Sequence, residues 1–285
     1  MKYKVSDYLK ILFPIVAIEL VTSIVTMIGG VFYALFLYAS RTFDSLDDLL
    51  NTIKKGLTDT DFLMAVSSVY ALICICLFLF FFRKHSKKEE RSLRGLSPLF
   101  LIGVVLIALS CQYLANYIVA IDAVAFPSTV SDYNKLMEAS GLDSFRLLTI
   151  VYAACLGPIC EELAFRGLTL HYGRKVFPFW AANLIQALLF GLVHMNFVQF
   201  SYAFALGLIL GWLYLKTDTI LVPILTHMTF NAISAFCSEY LKMPNNAYGF
   251  CIVLFLSLTA CYLGMKWIEN CGKKRMEKDG KAGGR

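Results

Sequence analysis

Charge is scarce in this chain of 285 residues. Asp, Glu, Lys and Arg together make up 16% of it, against 58% hydrophobic residues, and the mean hydropathy is +0.66. That balance excludes the ordinary soluble globular class and places the chain among membrane proteins. Several catalytic and energy-coupling signatures are also missing. There is no H-E-x-x-H, no G-x-S-x-G and no Gly-x-Gly-Asp string, which sets aside the zinc-helix, serine-elbow and membrane-aspartyl protease designs. The absence of a Walker A loop argues against an ATP-driven pump. The nine cysteines form no C-x-x-C pair; most lie in apolar stretches and read as small buried residues rather than as a zinc site or a disulfide framework.

What is present is a series of hydrophobic runs long enough to cross a bilayer, which takes about 17 to 25 residues. They fall at 11–40, 62–82, 98–122, 145–170, 177–196, 198–215, 218–238 and 248–268. The fold class expected is therefore all-α, a polytopic bundle of about eight spans. The first run is too long for a signal-peptide core and reads as a retained helix. With both termini cytoplasmic, eighteen of the Lys and Arg residues fall in inner segments and six in outer ones, as the positive-inside rule requires. The net charge of +6 then speaks of topology and anionic lipid, with no nucleic-acid partner.

Residues 1–140 read as three transmembrane helices with an amphipathic helix on the outer surface, where Phe43, Leu46, Leu49, Leu50, Ile53 and Leu57 recur at helical spacing among charges. Residues 141–270 carry the remaining spans and the candidate site, and 271–285 read as a disordered cytoplasmic tail. The segment 123–143 reads as an outer loop with at most a turn of helix. Ala203, Gly207 and Gly211 make a small-residue stripe suited to close helix packing. Gly157-Pro158 predicts a break or kink just before an acidic pair, tolerated at membrane depth only against protein or a wet cavity.

That pair, Glu161-Glu162, sits with Arg166 in an otherwise apolar run, where charge is expensive and usually functional. Glu162 and Arg166 are four apart and share a helix face; Glu161 lies about 100° round. The division expected is a structural Glu162–Arg166 pair, with Glu161 left free as a general base. A single structural ion cluster of all three is the competing reading. His194, four residues after Phe190, and His227, one turn before Asn231, fall in later spans. Together they suggest a convergent site for amide hydrolysis, with Glu161 and His194 holding a water. His227 and Asn231 could donate to the oxyanion, or His227 could pass a proton to the leaving amine. Glu161, His194 and His227 could instead ligate a divalent metal such as zinc. At ~1.5 Å per residue, these boundaries put Glu161 and His227 about 14 Å from the inner ends of their spans and His194 nearer 25 Å.

The strings E-E-x-x-x-R (Glu161, Glu162, Arg166), F-x-x-x-H (Phe190, His194) and H-x-x-x-N (His227, Asn231) occur in order on successive hydrophobic segments. In this the chain resembles the CPBP family of type II CAAX prenyl endopeptidases and their Abi-type and bacteriocin-processing relatives, over about residues 145–235. The resemblance implies an eight-helix intramembrane endopeptidase, described in the family both as glutamate-type and as metal-dependent. Glu161 and His194 would activate water, His227 and Asn231 would stabilise the oxyanion, and Glu162 and Arg166 would support the site. The substrate expected is a membrane-associated peptide or protein, prenylated or a bacteriocin- or pheromone-like precursor. Short connections and no attached soluble module suggest a multi-pass protein of the bacterial cell membrane. A non-catalytic immunity or scaffold protein of the same fold is the second reading, and an ion-coupled transporter the third.

Overall fold

The computed structural model describes residues 4–40, 42–86, 93, 96–140, 146–237 and 240–278. Among these the regular structure is wholly helical, in ten helices. They are α1 (Val5–Ser40), α2 (Leu46–Leu57), α3 (Thr60–His85), α4 (Phe100–Ala125), α5 (Pro127–Ser140), α6 (Leu147–Val176), α7 (Phe179–Leu192), α8 (Phe197–Thr217), α9 (Leu221–Cys237) and α10 (Ala247–Lys278). The chain is an all-α polytopic bundle and an integral membrane protein.

Six helices, α1, α3, α4, α6, α8 and α10, are long and apolar enough to cross a membrane, while α7 and α9 are apolar but shorter. The eight apolar segments expected from the sequence are thus all helices, but two fall short of a full span. α7, with 14 residues, is about 21 Å long at 1.5 Å per residue, against a hydrocarbon core of about 30 Å. α1 and α10 bury the least of themselves, and Leu20, Ile24, Met27, Phe32 and Phe36 of α1 are exposed. In a bilayer, lipid tails cover such a face.

α6 is the axis of the molecule. It packs against α1, α3, α7, α8 and α9, and every residue from Glu162 to Leu170 is buried. One apolar cluster joins α1, α3 and α6 to α7, α8 and α9; a second joins α4, α8, α9 and α10. α8 and α9 belong to both and so connect the two halves.

Three local expectations change. α5 is a four-turn helix rather than a loop, opened by Pro127 at its first position, where the missing N–H costs nothing. α10 runs to Lys278, past the expected end of order near residue 270. Gly272 does not stop it, because this glycine is there for closeness: a Cβ would collide with the Lys216 carbonyl of α8. Residues 279–285 of the expected tail, and Lys87, Lys88, Arg91 and Arg94 of the basic loop, lie outside the described residues. Finally, Pro158 does not break α6. The helix instead widens to five-residue hydrogen bonding over Tyr152–Leu156 and again over Leu163–Thr169.

Candidate functional site

The two widened stretches of α6 flank the acidic pair. In the first, the Gly157 N–H reaches back five residues to the Tyr152 carbonyl. The next bond in that register would run from residue 158 to Ala153, but proline has no N–H to give. Asn231 of α9 supplies the missing donor, its Nδ2 lying 2.7 Å from the Ala153 carbonyl oxygen. Such wide turns recur at functional sites. Here one ties α9 to the helix that carries both glutamates.

Glu162 and Arg166 are both fully buried, with Arg166 Nη1 donating to Glu162 Oε1 at 2.7 Å. The pairing expected from the four-residue spacing is present. The sequence did not reveal that the same oxygen has a second partner, His227, whose Nδ1 lies 2.8 Å away. Glu161 points elsewhere, as its rotation about the helix requires. Its side chain is 27% exposed, and Oε2 stands 3.7 Å from His227 Nε2. That gap is too long for a direct hydrogen bond and suits a bridging water. His227 thus lies between the two carboxylates, bonded to the buried one and facing the accessible one.

Phe190 organises the other side. Arg166 lies 4.5 Å above its ring, and the rings of His194 and His227 stand edge-on to it at 5.3 and 5.7 Å. His194 Nδ1 is 2.9 Å from the Phe190 carbonyl oxygen. A carbonyl only accepts, so Nδ1 carries the proton and the neutral ring keeps its lone pair on Nε2. Ionised Glu162 imposes the same tautomer on His227.

His194 is not inside a span, as the sequence suggested. α7 ends at Leu192, Met195 takes a left-handed φ of 50°, and the Asn196 side chain caps α8 by accepting from the N–H groups of Val198 and Gln199. This removes the expected mismatch in depth. Phe177 and Pro178 form the corner between α6 and α7. Glu161 lies fifteen residues before Val176 and His194 fifteen after Phe179, so both stand about 22 Å from that corner. The corner between α8 and α9 is itself buried at Thr217, Asp218 and Thr219, so α9 starts inside the protein and carries His227 to Glu162. The turn after α7 thus stands level with Glu161 in the bundle, and in a bilayer such irregular backbone needs protein or water beside it.

Carboxylate and imidazole donors are suitable chemistry for zinc. Among the described residues, however, no three His, Cys, Asp or Glu side chains are grouped closely enough to hold an ion. The remaining histidines form a separate pair, His85 stacked on His171 with centroids 5.8 Å apart. Polar residues overlooked in the sequence also join the site. Gln186 and Asn183 of α7 are fully buried and bond to the α8 backbone. Tyr70 of α3 and Tyr152 of α6 share a short hydroxyl–hydroxyl hydrogen bond. The positions 183, 186 and 190 on one helix face were a readable signal, since amides on the buried face of an apolar helix require partners.

Residues 143–233 match the family model described as type II CAAX prenyl endopeptidase Rce1-like. These residues form a Rce1-like domain. The segment contains all three motif strings and, apart from Tyr70, the site described above. Among curated proteins, the chain is 29% identical over 167 residues to the one named "Putative membrane peptidase YdiL" of Bacillus subtilis (strain 168), covering 58% of this chain and 67% of the relative. It is 30% identical over 88 residues to the "Membrane-embedded CAAX protease MroQ" of Staphylococcus aureus (strain USA300), covering 29% of this chain and 36% of the relative. No solved structure gives a significant match. Together these Rce1-like similarities support a membrane peptidase.

Proposed function

We propose that the chain is an intramembrane endopeptidase of the bacterial cell membrane, hydrolysing a peptide bond in a membrane-associated peptide or protein with Glu161 as general base. One observation carries this reading. Of the residues from Cys160 to Leu170, Glu161 alone is not buried, and it faces His227 Nε2 across 3.7 Å while Oε1 of its neighbour Glu162 is held by both Arg166 and His227.

Each residue has a role in this scheme. Glu161 takes a proton from a water as its oxygen attacks the scissile carbonyl. His194 Nε2, bearing a lone pair, accepts the water's other hydrogen and aims the oxygen. His227 has its Nδ1 proton committed to Glu162, so it receives at Nε2 the proton Glu161 has taken and delivers it to the leaving amine. Imidazolium formed there stands against the Glu162 carboxylate. Asn231 donates one amide hydrogen to Ala153 and keeps the second for the oxyanion. Arg166 and Phe190 hold Glu162 and the imidazoles in place. Substrates of the kind suggested by the relatives' names are C-terminal CAAX-type peptides; precursor peptides held at a membrane surface are the other class.

Wild type, Glu161→Gln, His194→Ala and His227→Ala would be reconstituted in liposomes. Each would be given a farnesylated C-terminal peptide and a non-prenylated membrane-anchored peptide, with products read by mass spectrometry. Cleavage by wild type and a loss of about 100-fold or more in Glu161→Gln is expected for removal of a general base. Cleavage by Glu161→Gln at the wild-type rate rejects the assignment.

A further inference from the structure

We infer that Gln186 is a positioning residue for the proposed hydrolytic site, acting through the Gly207 carbonyl on Arg166 and thence on Glu162 and His227. The inference rests on the reading of Glu161 as base. Gln186 Nε2 donates to the Gly207 carbonyl oxygen at 2.9 Å, and Arg166 Nη2 reaches the same oxygen at 3.2 Å. Gln186 Nε2 also lies 2.8 Å from Asn183 Oδ1, and Asn183 Nδ2 donates to the next carbonyl, Leu208, at 3.1 Å. From Gly207 the chain of bonds continues through Arg166 Nη1 to Glu162 Oε1 at 2.7 Å and from there to His227 Nδ1 at 2.8 Å. Gln186, Asn183, Arg166 and Glu162 are all fully buried, and His227 is nearly so.

Two features make this more than a helix staple. First, α7 holds the guanidinium from two sides. The Phe190 ring lies under it at 4.5 Å, and Gln186 fixes the carbonyl to which its other arm donates. A planar fork constrained on its face and at one prong has one orientation left for the second prong, the one bonded to Glu162. Second, α8 is shaped to admit these amides. A Cβ on Gly211 would overlap Asn183 Oδ1, and one on Gly207 would press against Ala187 at 3.0 Å. The small-residue stripe of α8 thus exposes the carbonyls of 207 and 208 to α7. An error in guanidinium position passes to Glu162, then to the His227 ring, and so to the 3.7 Å gap facing Glu161.

The test compares Gln186→Leu, which keeps size but removes the amide, with wild type, Arg166→Lys, the double variant and Glu161→Gln, all in liposomes. In Gln186→Leu, kcat should fall roughly 10- to 100-fold with KM within about twofold, as for a small displacement of catalytic groups. The loss should largely vanish in the Arg166→Lys background, because both changes act through one linkage. Nitrogen-15 imidazole spectra supply a readout independent of substrate. His227 should be Nδ1-protonated in wild type and a tautomer mixture in Gln186→Leu. A Gln186→Leu rate equal to wild type per folded molecule, multiplicative losses in the double variant, or an unchanged His227 spectrum overturns the proposal. Full activity in Glu161→Gln would instead overturn the hydrolytic reading, while the spectrum would still report on Gln186.

Discussion

At the scale of single residues, two adjacent glutamates of the same chemistry have opposite duties. Glu162 is enclosed with a cation and an imidazole, so Arg166→Met would leave its charge buried without its cation. Removing one partner of a buried pair costs about 3–5 kcal/mol, and Arg166→Met should therefore give low membrane yield and an early thermal transition in detergent. Glu161 is partly exposed and among the described residues pairs with no Lys or Arg, so Glu161→Gln should keep the wild-type transition while losing turnover. Equal thermal losses in both variants would contradict this division. The division itself was legible, because a four-residue spacing pairs Glu162 with Arg166 on any helix. His227 as second partner of Glu162 was not legible. That contact joins positions sixty-five residues apart, and no local rule reaches so far.

Among the helices, the acidic segment depends on backbone accounting between α6 and α9. Asn231→Leu would strip the Ala153 carbonyl of its donor, at a cost of about 1 kcal/mol or somewhat more for a part-buried acceptor. Pro158→Ala restores an N–H at the position that should have bonded there, so the double variant should recover much of the lost thermal stability. No recovery would mean that Asn231 stabilises α9 by other contacts. The α7–α8 pair gives a second check. Gly211→Ala would drive a methyl group into Asn183, and overpacking of this kind costs about 1–3 kcal/mol, visible as a lower transition temperature. The small-residue stripe was readable in the sequence as close packing. That it admits buried amides rather than aliphatic side chains was not, because nothing in α8 says which face of α7 it will meet.

For the molecule as a whole, topology places the site. If both termini are cytoplasmic, as the count of basic residues expects, α5 lies outside and the end of α3 inside. Asp132 and Lys84 are exposed on those two elements. In a chain stripped of its own cysteines, a membrane-impermeant thiol reagent should label Asp132→Cys in intact cells and Lys84→Cys only after lysis. The opposite pattern would invert the assignment. At the C-terminal ends of α8 and α10, the two helices are joined by Lys216 and Glu269 at 2.8 Å, with Lys266 and Lys273 also on Glu269. The order that continues past residue 270 belongs to this contact.

The sequence by itself determined the class of the molecule and singled out seven residues of the candidate site, though not the amides and tyrosines beside them. A composition so poor in charge leaves only the membrane, and each charge kept at depth then marks itself by its cost. It also determined the pairing within α6, because helical geometry is local. Tertiary structure decided what depends on distance across the chain: that α7 stops at Leu192, that a buried corner starts α9 inside the protein, and that Asn231 completes the backbone of another helix. It decided as well that His227 stands between the two glutamates. Those outcomes follow from how hairpins of unequal length stack against α6, and hydropathy records the length of an apolar run without recording its depth.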